Sequence, residues 1–402
     1  MSLTRQQPGT QAGVNATSLI WLIAAALAII FGGILIGTFA PTVLPPQASA
    51  ESRQVDALFQ FMLAIGGMIF LLVQGALVYS IIRFRARPGD RADGPPIRGN
   101  ATLELVWTII PGIIVLVLTG LAYVVYADTR VVTGGEQQIG VHGARYAWTF
   151  NYTFTANDLP ADLDISTLPV DIQTALADPE HVFTFSHQQM HTWVNQRVDA
   201  VITAADVNHA FWVPAMRVKQ DALVGRTTNV RFTPIEAGVY RIVCAELCGS
   251  GHGVMAGEVA PDGSLVGSWL IVHPDEESYR QEFLIPQMMK ILFPPEDPVE
   301  RGRQLLASGQ YPCASCHVLT DLGWVGNVGP SLNGIGARTQ RVAASGARDM
   351  ADYIHTSIRM PGAYLVPGYG NLMPQFNPNP DQPNYMPEAD LEAIIAYLLS
   401  QQ

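Results

Sequence analysis

Charge is what this chain of 402 residues has least of: Asp, Glu, Lys and Arg make up 14% of it, where a soluble protein carries about a quarter. Between Arg5 and Glu51 no charged side chain occurs, and two further uncharged runs cover 57–82 and 105–127. Each exceeds the roughly 20 apolar residues with which a helix crosses a bilayer core of about 30 Å. Three such runs in the first third of a chain are not readily buried in one soluble core, so a wholly soluble protein is excluded. Basic residues are scarce too, and the net charge of −11 disfavours nucleic acid, which asks for a basic face. Internal repeats and low-complexity tracts are absent. Cysteine is limited to four residues, and two short motifs use all of them.

The arginines set an orientation. The segment joining the second and third runs holds Arg83, Arg85, Arg87, Arg91 and Arg98, whereas only Arg130 follows closely after the third. Short positive loops stay in the cytoplasm, so everything after Ala127 is expected outside a bacterial cell membrane that the chain crosses more than once. Residues 48–50, Ala-Ser-Ala, resemble a cleavage site, which makes 1–50 either a signal peptide or an extra anchor and 51–130 a transmembrane hairpin. By segment the net charge is +2 over 1–127, −10 over 128–296 and −3 over 297–402. An acidic exterior suits a basic redox partner, or is simply a soluble surface.

Residues 131–273 read as an all-β sandwich or barrel, with short alternating runs at 146–152, 198–203, 229–232 and 238–243 separated by Gly, Pro and Asp. Polar residues 153–180 form a loop or insertion. Residues 274–298, rich in Pro, Glu and Asp around a short apolar piece at 283–292, read as a linker. Residues 299–402 alternate helical pieces with loops and end in an amphipathic helix at 388–399, a small all-α domain.

Cys244 and Cys248 stand in Cys-Ala-Glu-Leu-Cys-Gly-Ser-Gly-His-Gly-Val-Met, which also carries His252 and Met255, and His209 lies upstream in Asp-Val-Asn-His. Thiolate, thioether and imidazole together select copper. A zinc site of two cysteines and two histidines and a Cys244–Cys248 disulfide are the alternatives, and zinc has little use for the Met255 thioether.

The stretch from Asp206 to Met255 resembles the cytochrome oxidase subunit II family, and Glu104 and Trp107 in Leu-Glu-Leu-Val-Trp match the start of that family's second core helix. The resemblance covers 55–127 and 138–272 and implies a cupredoxin-like domain with a dinuclear copper centre. It makes Cys244 and Cys248 bridges, His209 and His252 caps of one copper each, Met255 a ligand to one, and the Glu246 carbonyl a ligand to the other. It further implies magnesium or manganese on the Glu246 side chain at the boundary with subunit I. One departure stands out: the family's Gln-Trp-Tyr-Trp is here Arg145-Tyr146-Ala147-Trp148, so an exposed tryptophan route for electrons is replaced by Tyr146, and Trp148 reads as core. His181, His187 and His191, with Met190, read as structural because their spacing does not bring three ligands to one face.

Cys313-Ala-Ser-Cys316-His317 is the pattern of covalent haem c attachment, with the adjacent histidine on the iron; a thioredoxin-like dithiol needs no such histidine. The preceding helix with Glu300 and Gly302, the run Gly329-Pro-Ser-Leu and the terminal helix resemble class I cytochrome c over 297–402. The resemblance implies a methionine as sixth ligand, for which Met373 in Asn-Leu-Met-Pro fits best, with Met360 and Met386 as rivals. A Met/His pair raises the iron potential.

Together these readings describe an electron relay with no catalytic residue of its own. Electrons would run from an external donor, a cytochrome or small copper protein, through haem c and copper to subunit I of a cytochrome c oxidase, where oxygen is reduced to water with proton translocation. Other oxidase subunits and membrane lipid are the further expected partners. A nitric oxide reductase with a similar subunit is the alternative reading. A copper-free quinol oxidase scaffold would lack the two cysteines, and a soluble nitrous oxide reductase would lack the helices.

Overall fold

The computed structural model describes residues 15–85, 89, 99–259, 263, 265–326, 328–380, 382 and 384–402; Arg87, Arg91 and Arg98, which carry part of the orientation argument, lie outside the described residues. Two compact units emerge, one of 1–45 and 54–127, the other of 46–53 and 128–402.

The first unit is helical. Helices α1 (Ala16–Phe39), α2 (Ala50–Phe84) and α3 (Ala101–Arg130) are each long and apolar enough to span a membrane. They coincide with the three uncharged runs. Helices α1 and α2 pack through small residues: a Cβ on Gly37 would lie 2.8 Å from the Gln60 carbonyl and 2.9 Å from Ala64, the close approach typical of membrane helix pairs. Helix α3 has no buried residue.

The second unit begins with a β-sandwich. Strands β1 (Gln137–Ala144), β2 (Ala147–Phe154), β3 (Phe183–His187), β5 (Val198–Ala204) and β8 (Thr228–Phe232) form a sheet in the order β3-β2-β1-β5-β8. Every pairing is antiparallel except β1 with β5, joined from Gln137↔Val198 to Gly143↔Ala204. Strands β4 (Met190–Trp193), β9 (Gly238–Arg241) and β13 (Trp269–His273) make a second sheet, and β6 (His209–Val213), β7 (Val218–Ala222) and β10 (Val243–Cys244) a third. Two short strands, β11 (Glu258–Val259) and β12 (Leu265–Val266), pair with each other. The period of two is visible in what is buried: Trp148, Phe150, Tyr152 and Phe154 of β2, Ile139 and Val141 of β1, Ile202 of β5. In the insertion, α4 (Val170–Ala177) follows two single helical turns.

Residues 48–50 are part of this sandwich. Ala48 N–H donates to the Ala215 carbonyl, Ala50 N–H to Thr233, and the Ala48 carbonyl accepts from Ile235. Ala48 and Ser49 are fully buried.

Residues 274–298, expected to be a linker, are a docked helix. It is capped by Asp275, which accepts from Ser278 N–H at 2.7 Å, and runs through α5 (Glu276–Tyr279), a wide turn at Arg280–Leu284 and α6 (Ile285–Leu292). Its stripe of Tyr279, Phe283, Met288 and Leu292 is buried in the sandwich core. Of its acidic residues, Glu276 and Glu277 are exposed while Glu282 reaches His273, and Pro286 falls where the wide turn passes into α6.

The C-terminal domain brackets its centre with α7 (Pro298–Ala307) and α10 (Glu388–Ser400), which cross so closely that a side chain at Gly302 would collide with the Ala393 carbonyl. Between them lie the paired β14 (Val318–Leu319) and β15 (Trp324–Val325), then α8 (Thr339–Ser345) and α9 (Met350–Arg359). Buried Arg359 donates to the carbonyls of Phe376 and Met386 and to Glu388, tying the loop after α9 to the last helix.

Candidate functional site

Strand register builds the first site. Pairing of Cys244 with Phe211 and of Val243 with Trp212 sets the end of β10 beside the start of β6, so the Cys244 sulfur lies 3.8 Å from His209 Nδ1. The chain then loops out and returns through the short turn His252–Met255. That return puts the Cys248 sulfur 3.5 Å from His252 Nδ1 and 3.4 Å from the Met255 sulfur, while the Cys244 thiol meets the Glu246 carbonyl at 3.2 Å. All six residues singled out in the sequence converge here. His209, Cys244 and Cys248 present donor atoms within 4.8 Å of one another, and the two cysteines are free thiols. The Glu246 side chain is exposed.

Electrostatics links the carboxylate, the imidazole and the two thiols. Burial disfavours a charged His209, yet hydrogen bonds to Asp206 and Cys244 outweigh it and lift the ring to about 9. The thiols divide: the same histidine draws Cys244 below its ordinary value against the effect of burial, and burial with the neighbouring sulfur pushes Cys248 up to about 12. Both sulfurs ionise together only around a positive ion. Two soft sulfurs, a thioether and two imidazoles suit copper better than zinc.

Sequence reading missed the support behind His209. Asp206 Oδ1 lies 3.0 Å from His209 Nε2, and its Oδ2 accepts from both the backbone N–H and Nε of Arg145 at 2.9 Å. Only the parallel β1–β5 pairing brings Arg145 there, although Asp206 three residues before a ligand was a visible signal. Such outer partners hold a metal-binding imidazole in its orientation. Trp148 is core and packs edge-on against His209, ring centroids 5.9 Å apart. Tyr146, expected to be an exposed ring, is 2% exposed.

The second site is an apolar cavity, and Cys313, Cys316, His317 and Met373 all line it. The turn Pro312–Ser315 closes with His317 N–H donating to the Cys313 carbonyl at 3.0 Å. This points both sulfurs and the imidazole into one space. His317 Nδ1 donates to the Pro330 carbonyl at 2.7 Å, which leaves Nε2 as the unprotonated nitrogen. A Cβ on Gly329 would sit 2.6 Å from His317 Cε1, so only glycine lets the ring lie flat there. Burial lowers His317 and raises Cys313 to about 12, as befits neutral groups in an apolar wall. Met360 is exposed and Met386 is buried outside the cavity. Apolar walls, two thiols and one oriented imidazole fit a covalently held porphyrin.

His187, His191 and His273 form a cluster that the spacing did not foretell. His191 Nδ1 and His273 Nε2 are 3.1 Å apart, the His187 and His191 ring centroids 5.2 Å, and Phe283 of the docked helix stacks on His191 at 3.7 Å. His181 stands apart, against Phe183.

Comparison with known proteins gives a consistent result. The family described as cytochrome C oxidase subunit II, periplasmic domain, matches 138–260, its transmembrane domain counterpart matches 37–123, and cytochrome c matches 299–402. The chain is 36% identical to cytochrome c oxidase subunit 2 of Synechocystis sp. over 53% of its own length and 70% of the relative's. It is 32% identical to the subunit 2 of Thermostichus vulcanus over 60% and 80%. It is 28% identical to that of Alkalihalophilus pseudofirmus over 83% of each, an alignment of 342 residues, too long for the membrane and β portions alone.

Proposed function

The chain belongs to the cytochrome c oxidase subunit 2 family, and from that premise we propose that its six donor groups hold a pair of coppers and its cavity one covalent haem. It is the electron-accepting subunit of a haem–copper oxidase: electrons come from an external donor and leave for the part of the complex that reduces oxygen. The copper and haem, when bound, supply sites that gain and lose single electrons. What remains is done by the chain's own groups.

Cys244 and Cys248 would supply thiolates, His209 and His252 one Nδ1 each, Met255 a thioether and Glu246 its carbonyl. Asp206 keeps the His209 ring in place, and the complete burial of His209 and Met255 keeps water from the sulfurs. In the cavity Cys313 and Cys316 would supply the thiols for covalent attachment, His317 an imidazole held by the Pro330 carbonyl, and Met373 a thioether.

The exposed Glu246 carboxylate suits a magnesium or manganese ion shared with subunit I, and the apolar surface of α3 suits lipid and subunit I helices. The arginine-rich segment before α3 supports a cytoplasmic loop, with both cofactor domains outside the bacterial cell membrane.

The convergence of six donor groups from β6, β10 and one returning loop carries this reading. Metal and haem analysis of the purified full-length complex tests it. Two coppers in this subunit with one covalent haem are expected. A single zinc, or a Cys244–Cys248 disulfide without metal, would overturn the assignment.

A further inference from the structure

The sandwich and the C-terminal domain share one compact unit, and the haem cavity is not walled by the C-terminal domain alone. Residues 144–147, the turn between β1 and β2 of the sandwich, line it. Tyr146 and Cys316 line the cavity together, and β2 touches the turn Pro312–Ser315. Val328 and Leu372, the latter next to Met373, pack against the sandwich core. The same turn is anchored to the copper ligands on two sides. The Tyr146 ring enters the loop between Cys248 and His252: a Cβ on Gly251 would fall 2.6 Å from its Cγ and 2.7 Å from its Cε2, and one on Gly249 2.6 Å from its Oη. Its hydroxyl is 3.4 Å from Ser250 Oγ. Arg145 meanwhile holds Asp206, and Asp206 holds His209.

We propose that the 144–147 turn belongs to both cofactor sites, closing the haem cavity with the Tyr146 ring that also packs the copper-ligand loop, so that displacing this ring alters both centres at once. This rests on the function proposed above. The 144–147 turn of the sandwich is thereby covered by the chain's own haem domain. An external donor must approach the haem from another side.

The ring has no slack on the side of the ligand loop. A Cβ on Gly249 or Gly251 would lie too close to the ring to be accommodated in place, so ring or loop must shift. Gly253 lies in the same loop, and a Cβ added to it would meet nothing within 4 Å, which makes it a matched control.

The experiment uses the full-length complex and reads spectra and metal retention rather than turnover. Gly251→Ala should shift the haem bands and the ferric electron paramagnetic resonance although it lies in the copper loop, and Gly253→Ala should leave both as in the parent. Tyr146→Ala should admit carbon monoxide to the haem and quicken copper loss to a chelator by about 10-fold. Tyr146→Phe, which keeps the wall, should do neither. If Gly251→Ala and Tyr146→Ala change the copper signals alone, the shared wall is refuted while the function stands. A parent complex lacking covalent haem or paired copper would remove the function and this inference with it.

Discussion

At the scale of single residues the two sulfurs of the proposed copper site are placed unequally. Cys244 is tied to His209 and to the Glu246 carbonyl, whereas Cys248 touches both His252 and Met255. Cys248→Ser exchanges a soft thiolate for a hydroxyl that does not ionise near neutrality, so the near-infrared copper absorption should vanish and the haem bands persist; a surviving copper spectrum would rule out Cys248 as a ligand. In the other site Met373 is the methionine that lines the cavity, and Met360 and Met386 do not. Met373→Ala should yield a high-spin haem that takes up carbon monoxide or cyanide. An unchanged low-spin spectrum would pass the ligand role to another residue.

At the scale of elements the docked helix of α5 and α6 sits on histidines that are neutral when folded. Burial lowers His187 to about 4; burial, with His187 and His273 nearby, lowers His191 to about 2. Glu282 faces His273 Nδ1 at 3.3 Å and Lys290 faces His187, with Asp275 close by. Because these folded values lie below the ordinary 6.5, the unfolded chain binds more protons in acid. Their contribution is whole above about pH 6.5 and is lost as the pH falls, toward 4 for His187 and on toward 2 for His191, the loss reaching about 2 kcal/mol for each at pH 5. Amide hydrogen exchange across 276–292, corrected for its intrinsic pH dependence, should therefore accelerate between pH 7 and 5, and less so in His187→Gln. Equal protection at both pH values would sink the account. The same elements show how far the sequence could be read. Three helices and the run from Cys244 to Met255 were legible because each is written in consecutive residues. The stacking of His273 on His191, the hold of Arg145 on Asp206 and the burial of Tyr146 depend on which strands lie side by side, β4 on β13 and β1 on β5, and no local pattern reports that. The Pro and acidic content of 274–298 concealed a stripe of four buried residues.

At the scale of the whole molecule, charge and docking separate two electron-transfer steps that a loose tether would blend. The cofactor-bearing part is acidic, −10 over 128–296 and −3 over 297–402, so a basic donor is drawn to it by forces that salt screens over about 8 Å at physiological ionic strength. Reduction of the haem by such a donor should slow by roughly an order of magnitude as salt rises from low to moderate concentration. The step from haem to copper takes place inside one packed unit, where Val328 and Leu372 of the haem domain rest on the sandwich core. No charged surfaces have to find each other for that step. An electron injected photochemically into the haem of the full-length complex should reach copper at a rate independent of both salt and protein concentration. A docked helix without slack, rather than a tether about two dozen residues long, is what makes the two rates part company. A haem-to-copper rate that falls with salt in parallel with donor reduction would mean that the domains separate and re-encounter between turnovers.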